Sequence, residues 1–169
     1  MAEKSPFKIG TNVVYPSHGV GKIMQLEEQD IGGSKIKFLV IYFDKEKLNL
    51  RVPLAKAEKV GVRALSSKKE MDKVLTILSE KPKVNRGIWS KRALEYESKI
   101  NSGSLISIAE VVRDLFKDTA VTDRSYSEKV IYDLALTRLS GEYALLYGID
   151  QKAALNKILE LIKDKQPAA

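Results

Sequence analysis

KIKFLVIYF, residues Lys35 to Phe43, is the strongest strand-forming stretch of the chain. β-Branched and aromatic side chains suit a pleated surface, and apolar residues in both phases at its end predict burial on both faces. Turns bound it on either side. Ile31-Gly-Gly-Ser34 is a hairpin signal, and Asp44-Lys-Glu-Lys47 is a polar turn. Leu48, Leu50 and Val52 then alternate with Asn49 and Arg51 until Pro53 ends the run, which leaves Arg51 in the exposed phase. Upstream, Asn12 to Tyr15 reads as a strand stopped by Pro16. Pro16-Ser-His-Gly19 is a turn, and Val20 to Leu26 a second strand. Four or five short strands joined by tight turns predict a small, strongly bent sheet or barrel.

From Ser66 the apolar period changes. Met71, Val74, Leu75 and Leu78 follow a helical spacing, with Ser67 and Glu70 as a capping-box signature ahead of them. Four more helical blocks follow. One runs from about Trp89 to Ile100 and ends at Asn101-Ser-Gly103. The next carries Ile108, Val111, Val112, Leu115 and Phe116, with Ser107 and Glu110 as its expected capping box. Ser125 and Glu128 announce a third, with Val130, Ile131, Leu134, Ala135 and Leu139. Gly148-Ile-Asp150 closes it and opens the last, with Leu155, Ile158, Leu159 and Ile162. The sequence thus predicts an α+β protein of two domains, a small bent β module over 1–62 and an all-α domain of about five helices over 63–169. The expected boundary lies near Val60 to Ser66.

With 44% hydrophobic and 30% charged residues, the 169-residue chain has the composition of an ordinary folded protein. A net charge of +7 favours an anionic partner without identifying it. The absence of cysteine excludes disulfides, thiolate metal sites and a thiol nucleophile, and one histidine cannot build a multi-histidine metal site. No apolar run is long enough to span a membrane and MAEKSPFKIG lacks a signal-peptide core, so a cytoplasmic location is expected.

Lys81 to Arg92, KPKVNRGIWSKR, holds the single tryptophan, Trp89. Five of its twelve residues are basic and none is acidic. An apolar ring among cations at the mouth of a helix suits nucleic acid, where cations hold phosphates and the ring wedges at a base step. Trp89 is also in helical phase with Ala93, Tyr96 and Ile100, the pattern of a core-facing residue, so both readings stand on local sequence. Catalysis finds little support. His18 sits in a turn with no acidic residue near it in sequence. Gly19-Val-Gly21-Lys22 lacks the Walker spacing and the following Ser or Thr, and its glycines read as hairpin residues.

Taken together, these segments resemble the CarD/CdnL family of bacterial RNA-polymerase-binding transcription regulators. The matching strings are FKIGTNVVYPSHGVGKI at 7–23, FLVIYF at 38–43, LRVP at 50–53, VGVR at 60–63, WSKR at 89–92, AEVVRDLF at 109–116 and YSEK at 126–129. The resemblance covers nearly the whole chain, in order. It implies a Tudor-like N-terminal module docking on the polymerase β subunit. The transcription-repair coupling factor carries a similar module, but this chain is too short for that protein's helicase motors. It also implies a helical domain that contacts promoter DNA at the upstream edge of the transcription bubble. The family's wedging tryptophan, inserted in the minor groove, matches Trp89, and the family's polymerase-contacting arginine of the last strand matches Arg51. Some relatives carry a second interface arginine where this chain has Gln29.

The expected polymerase contacts are therefore Arg51, Gln29 and Ile31, and the expected DNA contacts are Trp89, Arg86, Lys91, Arg92 and Lys129. The expected protein is a monomeric, non-enzymatic regulator with no cofactor and no metal, associated with the bacterial nucleoid through polymerase. It would stabilise the open complex by largely sequence-independent DNA contact. The rival reading is a protein-interaction scaffold in which the basic stretch is incidental.

Overall fold

The computed structural model describes residues 7–82, 87–116 and 126–165. The chain divides between Leu65 and Ser66 into two compact units. Among the described residues, the first is a five-stranded antiparallel sheet in the order β4-β3-β2-β1-β5, and the second is five helices. This is the α+β, two-domain layout that the sequence predicts.

In the β unit, β1 spans Asn12–Tyr15, β2 Gly19–Ile31, β3 Ser34–Phe43, β4 Leu48–Pro53 and β5 Arg63–Ala64. β2 runs past Leu26, where the sequence ended it, because the hairpin follows directly. Gly32 and Gly33 both take positive φ (59° and 86°), and Ile31 pairs with Ser34 across them. Two consecutive positive-φ residues match the twist of the flanking strands, and glycine reaches them without steric cost. The sheet is open, with β4 and β5 as its edges. β5 pairs with Val13 and Val14 of β1, so the sheet extends beyond residue 62. Val13, Ile23, Leu39, Ile41 and Phe43 fill the inner face together with Val52, and Phe7, Ala57 and Val62 close over it.

The helices are α1 (Lys68–Leu78), α2 (Trp89–Asn101), α3 (Leu105–Leu115), α4 (Tyr126–Tyr147) and α5 (Gln151–Lys165). Ser67 and Glu70 form the expected capping box on α1. The box expected from Ser107 and Glu110 does not form. Gly103 (φ 78°) turns the chain directly after α2, so Ser104 caps α3 by accepting from the Ser107 N–H. Glu110 instead meets Lys99 of α2 at 2.8 Å. Asp150 caps α5, accepting from the N–H groups of Lys152 and Ala153. Ser125 lies outside the described residues.

α4 is the central helix. Six consecutive residues, Leu139 to Ala144, are buried, which an amphipathic surface helix does not do. Toward its N-terminus Val130 and Leu134 are instead exposed. Two polar groups in this core have partners. Glu142 accepts hydrogen bonds from the Ser66 N–H and hydroxyl. Arg113 donates to Asp114 and Glu80.

Gly19 and Gly21 carry structure. Gly19 takes φ 82° in its turn. A Cβ on Gly21 would stand 2.7 Å from Ile41 Cγ2 and from the Phe43 ring. Gly21→Ala is therefore expected to overpack the inner face and destabilise the β unit by roughly 1–3 kcal/mol. Thermal unfolding checks this, and an unchanged midpoint would mean that Ile41 and Phe43 yield freely.

Candidate functional site

Two groups of exposed side chains stand out, one in each unit. The first lies on the outer face of the sheet. A β-bulge between Ile23 and Gln25 changes the phase of β2, so Ile23 faces the core while Gln25 aligns with Val40 and Arg51 across the sheet. From there Gln25, Glu27, Gln29 and Ile31 share one face by the two-residue period.

Glu27 is the hub of that face. Arg51 Nε donates to its Oε2 at 2.8 Å and Nη2 to its Oε1 at 3.4 Å, while Gln25 Nε2 donates to Oε1 at 2.7 Å. The Gln29 side chain, on the same face, adds a smaller effect that also favours the charged carboxyl. The fork-to-carboxylate geometry orients Arg51 by two points. The Arg51 hydrogen bond holds the Glu27 carboxyl below its ordinary range, and Glu27 in turn raises the Arg51 guanidinium. Both groups are solvated, so the pair orients side chains more than it stabilises the fold. Arg51 also lines a shallow groove with Met24, Val40, Tyr42 and Asn49. Arg51 and Gln29, two expected contacts, thus meet through one carboxylate. Ile31 lies on the same face, about half exposed, at the hairpin. Sequence reasoning missed Glu27 because the bulge that sets its phase leaves no mark in the apolar alternation.

The second group surrounds the start of α2. Ile88 precedes the helix as a large exposed residue and supplies no side-chain cap. Trp89 is the first helical residue, half-buried, and its ring packs against the helical core. Its Nε1–H donates to the Ser127 hydroxyl in the first turn of α4, at 2.8 Å. The Arg92 guanidinium lies 5.5 Å from the Trp89 ring centroid and 5.8 Å from that of Tyr96. Lys91 and Lys129 are exposed, as are Ser90 and Tyr126. Arg86 lies outside the described residues, as does Lys83. The first turn of α2 holds Lys91 and Arg92 and no acidic residue. Cations at a helix N-terminus oppose the helix dipole, and an anion there relieves both.

His18 belongs to neither group. Its Nδ1 meets Glu46 Oε2 at 2.8 Å, and its ring packs on Tyr15 and Phe43, tying the turn after β1 to the turn after β3. Among the described residues no cluster of three or more His, Cys, Asp or Glu could hold a metal ion, and no helix is long and apolar enough to cross a membrane.

Comparison with known proteins places both units. Residues 7–66 match the model of the CarD-like/TRCF RID domain, and residues 73–160 match that of the CarD C-terminal domain. The class is thus a two-domain transcription regulator with a small Tudor-like sheet followed by helices. The chain belongs to the CarD family, which is non-enzymatic in general and has RNA polymerase as its general partner. It is 29% identical over 146 residues to a Bacillus subtilis (strain 168) protein described as "Putative transcription factor YdeB", covering 86% of this chain and 95% of that protein. It is also similar to the solution NMR structure of the 72-residue N-terminal domain of Myxococcus xanthus CarD. That match has 28% identity and a TM-score of 0.30, and covers 34% of this chain and 77% of that one.

The Glu27–Arg51 pair makes a pH prediction. Arg51→Ala should return the Glu27 carboxyl toward its ordinary value near 4.5. Because the folded value is lowered, the pair's small contribution to stability is present above the unfolded value and fades as pH falls through the folded one. A side-chain carboxyl NMR titration of both proteins reads the shift, and coincident titration curves would rule out the pair in solution.

Proposed function

We propose that the chain bridges RNA polymerase and promoter DNA. The outer face of the sheet, with Arg51, Gln29 and Ile31, docks on the polymerase β subunit. The start of α2 meets the upstream fork of the transcription bubble. There Trp89 supports a distorted base step from the minor groove, and Arg86, Lys91 and Lys129 supply the positive surface, with Arg92 beside the ring. The observation that carries this reading is the start of α2. A partly exposed tryptophan and two cations, with no capping side chain and no acid in the first turn, form a surface well suited to a nucleic-acid backbone.

Each contact can be weak, because two sites on one chain act at high effective concentration once the first has bound. A protein that binds the open fork better than closed duplex shifts the opening equilibrium by that difference in affinity and no more. Base-specific readout is not needed. Phosphate contacts position the protein, and the wedge reads deformability. Such a protein acts as a monomer in the cytoplasm, at the nucleoid.

Three experiments test the reading. Arg51→Ala in the full chain should weaken polymerase binding without loss of fold, since Arg51 is an exposed position; unaltered affinity would remove Arg51 from the interface. Binding of the full chain to a promoter fork should be salt-sensitive. If about three phosphates are contacted, log affinity falls with log salt at a slope of roughly −2 to −3. A flat response would leave the scaffold reading in place.

Trp89→Ala should shorten open-complex lifetime by roughly 5- to 150-fold of the wild-type effect, the range of about 1–3 kcal/mol that aromatic stacking contributes. Its stability cost should fall below the roughly 3–5 kcal/mol of a fully buried tryptophan, since the ring is half-buried. Thermal melts and lifetimes of the same variant decide. A large melting loss with lifetime retained would make Trp89 a core residue only.

A further inference from the structure

Arg92 differs from the other cations around the start of α2. Lys91 and Lys129 are exposed, whereas Arg92 is half-buried. It is three residues from Trp89 and four from Tyr96, so successive turns of the helix stack all three side chains on a single face. Its guanidinium carbon lies 5.5 Å from the indole centroid and 5.8 Å from the phenol centroid. The two rings are themselves 6.2 Å apart. Its Nη2 donates to the Tyr96 hydroxyl at 3.3 Å. Its Nε is buried, with no hydrogen-bond partner among the described residues. A guanidinium offered to phosphate presents its polar edge to solvent. Here the Nε edge is withdrawn, and the guanidinium lies over two aromatic rings.

Building on the DNA-contact reading of Trp89, we propose that Arg92 is a positioning residue for the indole and not a phosphate contact. Arg92 holds one face of the ring while Ser127 holds its N–H, at 2.8 Å, from the first turn of α4. Together they fix the ring's angle at the helix mouth before any nucleic acid arrives. A planar, delocalised guanidinium stacks on aromatic faces, and a lysine ammonium does so less well and with different geometry. Charge alone is therefore not the property that matters at this position. Ordering the ring in advance removes the entropy cost of ordering it at the fork.

The test uses the full-length protein with Arg92→Lys, Arg92→Ala and Lys91→Ala. Trp89 is the only tryptophan, so its fluorescence and acrylamide quenching report on this ring alone. If Arg92 positions the ring, Arg92→Lys and Arg92→Ala both make the indole more quenchable. Loss of a cation–π contact lowers the docked-to-free ratio by roughly 2- to 30-fold. Both variants should also lose open-complex lifetime while keeping the wild-type salt slope for promoter-fork binding. Lys91→Ala should do the opposite, reducing the salt slope by about 0.9 and leaving quenching unchanged. If Arg92→Ala lowers the slope by that amount with unaltered quenching, and Arg92→Lys restores it, Arg92 is a phosphate contact and the proposal fails. Should Arg92→Ala not fold, Arg92→Lys alone decides, since it keeps the charge and removes the plane. Quenching is read without DNA, so a wild-type protein that fails to bind the fork would overturn the proposed function and leave the positioning of the ring to be judged by fluorescence.

Discussion

Burial along one stripe of α2 decreases toward its N-terminus, and the helical unit's candidate site depends on that gradient. Ile100 is fully buried and Tyr96 nearly so, while Ala93 and Trp89 are only partly covered. The buried half anchors the helix by apolar contact with α3 and α4. The N-terminal turn is then carried as the free end of a fixed rod. A tryptophan seven residues deeper along the stripe, in the place of Tyr96, would be core. The same ring at the helix mouth is only partly covered.

Charge reinforces the anchoring. Arg113 is almost fully buried on α3, and a buried guanidinium is tolerable only when its donors are matched. Asp114 matches two of them, and Glu80, just past the end of α1, matches a third. The chain is thereby held where it leaves α1, shortly before the basic stretch. In the β unit the logic is reversed. There the carboxylate of Glu27 gathers donors on a solvated face, where hydrogen bonds set orientation and add little to stability.

Much of this was legible in the sequence. The change of period at Ser66, the Gly-Gly hairpin and the Ser67–Glu70 box are local signals, because each depends only on residues within a few positions. The start of α3 was displaced because Gly103 reverses the chain earlier than the apolar repeat suggests, which turns Ser104 into the cap. The helical phase of Trp89 correctly indicated contact with the core. It could not show how far that contact extends, since exposure depends on where α4 begins. The Arg51–Glu27 pair spans two strand pairings and a bulge, and no short-range pattern in the sequence encodes it. Arg92 counted as one more cation in a basic run, because composition does not distinguish a guanidinium turned to solvent from one packed over aromatic rings.

β5 is only two residues long, yet it covers the free edge of β1. The strands β1 to β4 follow one another as neighbours and can pair by short-range closure. β5 joins Val14 to Arg63, roughly fifty residues apart in the chain, so its pairing must wait for the rest of the sheet. During synthesis and folding β1 is therefore a transiently open edge, and open edges are templates for association between chains. The shortest strand among the described residues is in this sense what last closes the β1 edge to other chains.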